Sequence, residues 1–182
     1  GNNKPRHCLN RLPNFVRWMR FVSPVEPLLL LRWLRSTDPL VRQAVADVWG
    51  VSTDFYWKPI DRLGIAGELF TGQALGTCNA GVLQGINADT LEGIEASGGW
   101  IELFTYWTQC VHSHVGYGID DPKNADVALT GRTKNETYFA NTLWDINPTF
   151  RVGFELAWRE TEYRAGLSND GVGFHTQFQW AF

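Results

Sequence analysis

The sequence predicts an all-β protein: an antiparallel sheet of long strands forming a transmembrane β-barrel, or the C-terminal portion of one. Three observations point there. From about Ala46 onward, side chains alternate between apolar and polar in stretch after stretch, the period of an extended strand with two unlike faces. Trp and Tyr recur near the ends of those stretches, at Trp57, Trp100, Trp107, Trp144, Trp158, Tyr163 and Trp180. Short turns ("KPIDR", "DINPT") alternate with longer polar loops over 74–97, 119–133 and 164–170.

The elements follow in chain order. Trp49, Val51, Thr53, Phe55 and Trp57 share one face of a first strand, with Gly50, Ser52, Asp54, Tyr56 and Lys58 on the other. "KPIDRLG" makes a tight turn, because Pro59 cannot donate to a sheet ladder and Asp61 and Gly64 tolerate turn geometry. Leu63, Ile65, Leu69 and Thr71 then alternate with Ala66, Glu68 and Gly72. Residues 74–97 are rich in Gly, Ala and Asn and are expected to form a long loop. "GGWIELFTYW" gives a strand from Trp100 to about Thr108. In the next, Val111, Val115, Tyr117 and Ile119 alternate with His112, His114, Gly116 and Gly118. Glu136 to Trp144 is a further strand. In the clearest one, Phe150, Val152, Phe154, Leu156 and Trp158 oppose Arg151, Gly153, Glu155, Ala157 and Arg159. "GLSNDG" closes the last hairpin, with Asn169, Asp170 and Gly171 supplying turn geometry. The final strand alternates from Gly171 to Phe182. That makes about seven strands, several of ten residues or more. Nine to eleven residues cross a bilayer when tilted by about 45°.

Residues 1–42 read differently. They hold eight of the sixteen Lys and Arg (Lys4, Arg6, Arg11, Arg17, Arg20, Arg32, Arg35, Arg42) against two acids, Glu26 and Asp38. This Arg-, Leu- and Pro-rich segment is expected to lie outside the barrel strands of 43–182. It is disordered, or forms short helices over Leu28–Leu34 and Asp38–Val45, or is the product of a misread frame. A functional alternative is a basic arm on an anionic membrane surface.

Composition bounds the function. The 182 residues suffice for one domain, and a net charge of −3 gives no general electrostatic case for nucleic acid. Aromatics are plentiful at 14%, with nine Trp. No apolar run approaches the roughly 20 residues of a membrane-crossing helix; Leu28–Leu31 is cut by Arg32. Neither a Gly-x-Ser-x-Gly nucleophile motif nor a phosphate-binding Gly loop is present, so no enzyme and no cofactor is expected. His112 and His114, two apart on a strand, point the same way and could begin a metal site. No carboxylate or Cys completes it nearby in sequence, so they are expected to be inward polar residues. Cys8, Cys78 and Cys110 are odd in number; a Cys78–Cys110 disulfide is one arrangement open to them in an oxidising compartment.

Phe174, Phe178, Trp180 and Phe182 resemble the C-terminal strand of Gram-negative outer-membrane β-barrels. In that family the terminal Phe and its alternating aromatics are the signal read by the barrel-assembly machinery. "GIAGELFTGQALG", "GGWIELFTYW", "GYGIDDP", "NETYFANTLWDINPTFRVGFELAWRETEY" and "FQWAF" are similar to the C-terminal half of DcaP-like outer-membrane porins, over roughly 46–182. The resemblance implies a barrel of about sixteen strands in outer-membrane lipid, passive diffusion of small hydrophilic solutes, and trimers. About half that strand number is visible here, so further strands are expected upstream. Eight strands can close, but side chains then fill the interior.

In a pore the inward face carries function. The candidates are Asp54, Lys58, Glu68, Glu102, Arg151, Glu155, Arg159, His175 and Gln177. Arg151, Glu155 and Arg159 form a ladder of alternating sign, read either as a field across the lumen or as ordinary solvation of a polar face. The 74–97 segment either folds inward as a constriction lined by Glu92 and Glu95, or is a plain external loop. Two rival functions use the same residues differently. A soluble β-sandwich carbohydrate-binding module would show one exposed aromatic strip over a buried apolar core. A structural or adhesive outer-membrane barrel would not conduct.

Overall fold

The computed structural model describes residues 15–22 and 48–181. Eight strands form one antiparallel sheet in which every strand pairs with its neighbours in sequence. They are β1 (Phe15–Val22), β2 (Trp49–Ile60), β3 (Leu63–Gln73), β4 (Glu95–Tyr106), β5 (Val111–Pro122), β6 (Arg132–Asn147), β7 (Phe150–Tyr163) and β8 (Ser168–Trp180). Among the described residues β1 and β8 are the two ends of the sheet and do not pair with each other. β2 to β8 run from 11 residues (β3) to 16 (β6), each long enough to cross a bilayer at a tilt.

β1 falls inside the segment that the sequence places outside the barrel strands. Its backbone pairs with β2 from Phe15 opposite Tyr56 to Val22 opposite Trp49. The helices expected over Leu28–Leu34 and Asp38–Val45 lie outside the described residues.

Connections at one end of the sheet are short: 61–62, 107–110 and 148–149. At the other end they are longer: 74–94, 123–131 and 164–167. Pro59 sits beside a register shift between Trp57 and Ile60, where its missing N–H costs no ladder bond. At 148–149 the Asn147 side chain accepts from the Thr149 amide and hydroxyl, both at 2.9 Å.

Three boundaries differ from the sequence reading. β4 starts at Glu95 rather than Trp100, because Gly98 lets the Phe70 ring of β3 lie against it and the ladder continues through both glycines. β6 starts at Arg132 and runs through Asp145 to Asn147, so most of "DINPT" is strand. In the last hairpin Gly166, at φ +82°, takes the left-handed position, and the Tyr163 amide donates to Leu167 O at 2.8 Å. Asn169, Asp170 and Gly171 are therefore extended members of β8 rather than the turn.

The cross-strand register divides the side chains into two faces. One carries Val51, Phe55 and Trp57 (β2), Ile65 and Leu69 (β3), Ile101 and Leu103 (β4), and Val115 and Tyr117 (β5). It continues with Tyr138 and Trp144 (β6), Phe154, Leu156 and Trp158 (β7), and Val172, Phe174, Phe178 and Trp180 (β8). The other carries the charge of the middle and short-turn stretches, whereas on the first face charge gathers at the long-loop end, at Glu136, Glu160 and Asp170. Exposure is inverted relative to a soluble sheet. Most of those apolar side chains are exposed, whereas Ser52, Ala66, Ala96, Phe104, His112 and Ala157, all on the polar face, are buried. Large rings on the polar face lie over glycines: Phe104 covers Gly64 and Phe139 covers Gly116, positions where a Cβ would strike the ring. This pairing lets bulky and absent side chains alternate without a second layer.

Candidate functional site

All nine residues singled out by the sequence fall on the polar face: Asp54 and Lys58 on β2, Glu68 on β3, Glu102 on β4, Arg151, Glu155 and Arg159 on β7, His175 and Gln177 on β8. His112 and His114 of β5 join them. The structure sorts these residues into separate groups.

The largest group lies toward the short-turn end and spans four strands. Glu102 Oε1 is 3.1 Å from His114 Nδ1. His114 Nε2 is 2.8 Å from His112 Nδ1. His112 Nε2 is 3.9 Å from Asp145 Oδ2, and Arg151 Nε donates to Asp145 Oδ1. The chain of contacts runs Glu102–His114–His112–Asp145–Arg151, anion and cation at the ends and imidazoles between. Aromatic rings back it. Tyr106 packs tilted against His112 at 5.0 Å between centroids and Phe104 against His114 at 5.6 Å, and Phe104 stacks on Tyr56 at 5.3 Å. The Lys58 ammonium stands 4.4 Å from the Tyr106 ring centroid, a cation–π contact. Among the described residues no group of three or more His, Cys, Asp or Glu side chains is placed to hold a metal.

A second group lies at mid-height. Glu155 takes His175 Nδ1 at 3.3 Å and Asn141 Nδ2 at 3.3 Å. Arg151 and Glu155 thus bond across strands, to β6 and β8, rather than to each other along β7. Asp54 and Glu68 stand directly opposite in register, two carboxylates side by side. Asp145, Asn141 and Tyr106 were missed by the sequence reading. Asp145 continues the alternation of β6 by one residue past Trp144, but its place in a turn-like "DINPT" hid it.

The segment 74–94 folds over the polar face at the long-loop end. Leu75 packs on Gly50 and Gly72, both on that face. The segment is strained and tied down. Gly81, Val82 and Leu83 are successively left-handed, at φ +65°, +50° and +61°. For the two that carry a Cβ this costs roughly 1–2 kcal/mol each, more for β-branched Val82. The Gly81 and Val82 amides, unpaired at the start of this turn, both donate to the Asp120 carboxylate of β5, at 2.9 and 2.6 Å. The Gln84 side chain brackets the Arg132 backbone, donating to its carbonyl at 2.6 Å and accepting from its amide at 2.9 Å. Between segment and sheet lies a cavity of about 440 Å³, with Glu68, Trp100, Asp120 and Asn135 in its wall. Glu95 turns away from this cavity, on the first residue of β4. Its carboxylate bonds the Lys123 ammonium at 2.7 Å and so holds that lysine's pKa above the usual value. Glu92 is exposed.

The apolar face has two aromatic rows. Near the short-turn end are Trp57, Trp144 and the Phe150–Trp180 pair, in tilted contact at 5.5 Å between centroids. Toward the long-loop end Tyr117, Tyr138 and Trp158 stand side by side in tilted contact, at 4.8 and 5.5 Å between centroids. One register step beyond, Glu136, Glu160 and Asp170 stand adjacent. The Tyr117 hydroxyl donates to Glu136, and Trp158 Nε1 donates to Asp170 at 3.0 Å. Rings on the apolar side and polar tips on the charged side are what amphipathic aromatics adopt at a lipid–water boundary. On β7, Phe150 and Trp158 are about 27 Å apart along the strand at ~3.4 Å per residue. At a tilt of 35–45° that is roughly 19–22 Å along the normal, close to the ~25 Å apolar band of outer-membrane barrels.

Of the C-terminal aromatics, Phe174, Phe178 and Trp180 lie on the apolar face of β8 and are exposed, at 67%, 69% and 69%. Phe182 lies outside the described residues. Cys110 is disulfide-bonded and Cys78 is a free, exposed thiol, so the Cys78–Cys110 pairing is not formed. The partner of Cys110 lies outside the described residues. Cys78 sits in the 74–94 segment against the cavity, away from the short turn that holds Cys110.

No protein-family model matches the chain, and no curated protein matches it. Among solved structures it is similar to the crystal structure of the outer membrane channel DcaP of Acinetobacter baumannii, with a TM-score of 0.60 and 12% identity. The match covers 74% of this chain and 41% of that one, so the chain spans less than half the length of the channel it resembles. At that identity the likeness is one of fold: an antiparallel sheet built like part of a β-barrel channel.

Proposed function

We propose that this chain forms part of the wall of an outer-membrane channel through which small hydrophilic solutes diffuse passively. The observation that carries the reading is the inverted exposure of the sheet. An apolar face bounded by two aromatic rows is exposed on strand after strand, while the opposite face holds most of the buried strand side chains. Water disfavours such a surface and hydrocarbon favours it. In hydrocarbon every backbone N–H and C=O must find a partner, so the edges at β1 and β8 must be closed by further strands. An aqueous lumen needs about sixteen, which calls for more of the same polypeptide or for other copies. The polar face, with Asp54, Lys58, Glu68, Glu102, Arg151, Glu155, Arg159, His175 and Gln177, then lines the lumen. Phe174, Phe178, Trp180 and Phe182 serve as the assembly signal, and trimers follow the resemblance to porins.

A carbohydrate-binding sandwich is disfavoured by the spread of exposed rings on the apolar face over β2, β6, β7 and β8, where that reading needs one strip over a dry core. The test is insertion of the detergent-purified protein into planar lipid bilayers. Stepwise, ohmic conductance whose ion preference shifts in Arg151→Glu is the expected result. A protein that is soluble without detergent and gives no conductance steps would overturn the reading.

A further inference from the structure

We infer that Asp120 is the latch that holds the 74–94 segment across the polar face, and that the segment has a second, released position. One carboxylate receives both amides of a turn whose three residues are left-handed in succession, two of them bearing a Cβ. Such a backbone persists only where its surroundings over-determine it. Asp120 is the charged part of those surroundings, and the two bonds it accepts are of the strong, charge-assisted kind. The second tether, Gln84 on the Arg132 backbone, is neutral.

The ground behind the turn is suited to movement. A cavity of about 440 Å³ lies between segment and sheet; the segment is buried at Leu75, Val82, Asn87 and Ile94, while Leu83 is 62% exposed. Without Asp120 the strain at Val82 and Leu83 is opposed only by neutral hydrogen bonds such as those of Gln84 and Asn87, and the turn relaxes to right-handed or extended backbone away from the wall. Asp120 is thus a positioning residue. It decides how far the segment overhangs the polar face. Only the consequence for solute passage rests on the channel reading; the latch itself does not.

The test uses a buried reporter. Ala80, next to the turn and buried at 9% exposed, is replaced by cysteine in a Cys78→Ser background, and labelling by a membrane-impermeant maleimide is timed against that background. Labelling is expected to be slow with Asp120 in place and roughly tenfold faster or more in Asp120→Ala, with Asp120→Asn, which keeps one acceptor oxygen, in between. Gln84→Ala serves as a second variant should Asp120→Ala fail to assemble, and it too is expected to quicken labelling. Unchanged rates in Asp120→Asn and Gln84→Ala, in protein whose mobility on unheated gels is unaltered, would overturn the latch. Conductance is read on the same samples. Faster labelling in a protein that never conducts supports the latch and overturns the channel reading; a conducting protein with unchanged labelling does the reverse.

Discussion

Asp145 shows how much of the polar face depends on partners from other strands. Its carboxylate is largely enclosed, at 16% exposed, between Arg151 of β7 and His112 of β5. Removing the guanidinium leaves that charge, among the described residues, with only the His112 imidazole, 3.9 Å away, as an ion-pair partner. Arg151→Ala is therefore expected to lower stability by about 1–3 kcal/mol, the cost of an enclosed acceptor losing its charged donor. Asp145→Asn in the same chain should recover much of the loss, because the charge that needed a partner is gone. Urea unfolding of the single and double variants in detergent micelles checks this. Equal and additive losses would mean that the two residues do not interact. The two imidazoles of the chain make the same point about reading sequence. Their spacing places them on one face, but no local signal shows that Glu102 and Asp145, on strands either side, flank them.

β8 isolates the difference between the two faces, since among the described residues it is paired on one side only. Phe174 and Gln177 are three residues apart on the same strand and point in opposite directions. An arginine on the lipid face near mid-membrane costs roughly 2–4 kcal/mol, and one facing water in a lumen costs little. Phe174→Arg should thus destabilise the protein in lipid by about that amount, and Gln177→Arg by less than about 1 kcal/mol. Refolding yield and urea midpoint in lipid vesicles measure both; similar losses in the two variants would contradict the assignment of faces. The strands themselves were legible in the sequence because period-2 alternation is a local property, repeated in each. Their ends were not. The ladder across Gly98 and Gly99, and the hairpin turn moved to Gly166, depend on what the neighbouring strand offers, which no single stretch records. β1 was missed for the same reason. "FVRWMRFV" is eight residues of β-competent sequence inside an Arg- and Pro-rich segment, and only its pairing with β2 marks it as a strand.

At the scale of the molecule, the sheet has direction as well as faces. Short turns and long loops segregate to opposite ends, the 74–94 segment overhangs the polar face at the long-loop end, and the Glu102–Arg151 chain of contacts lies at the other. A solute crossing the proposed lumen would meet a strained, latched segment at one end and a charged, aromatic-backed wall at the other. Whether the faces meet lipid and water as proposed is the question on which the rest depends, and β7 is the strand on which to ask it. Its residues from Phe150 to Arg159 alternate between the two faces and are flanked by paired strands on both sides. The measurement is nitroxide scanning of those ten positions, one at a time, in protein reconstituted into lipid vesicles, reading collision with oxygen, which concentrates in hydrocarbon, and with a water-soluble nickel chelate. The account predicts a period of two with the probes out of phase: Phe150, Val152, Phe154, Leu156 and Trp158 reached by oxygen, and Arg151, Gly153, Glu155, Ala157 and Arg159 by the chelate. An apolar set sheltered from both probes, as in the core of a soluble sandwich, or one reached by the chelate as readily as the polar set, would contradict it.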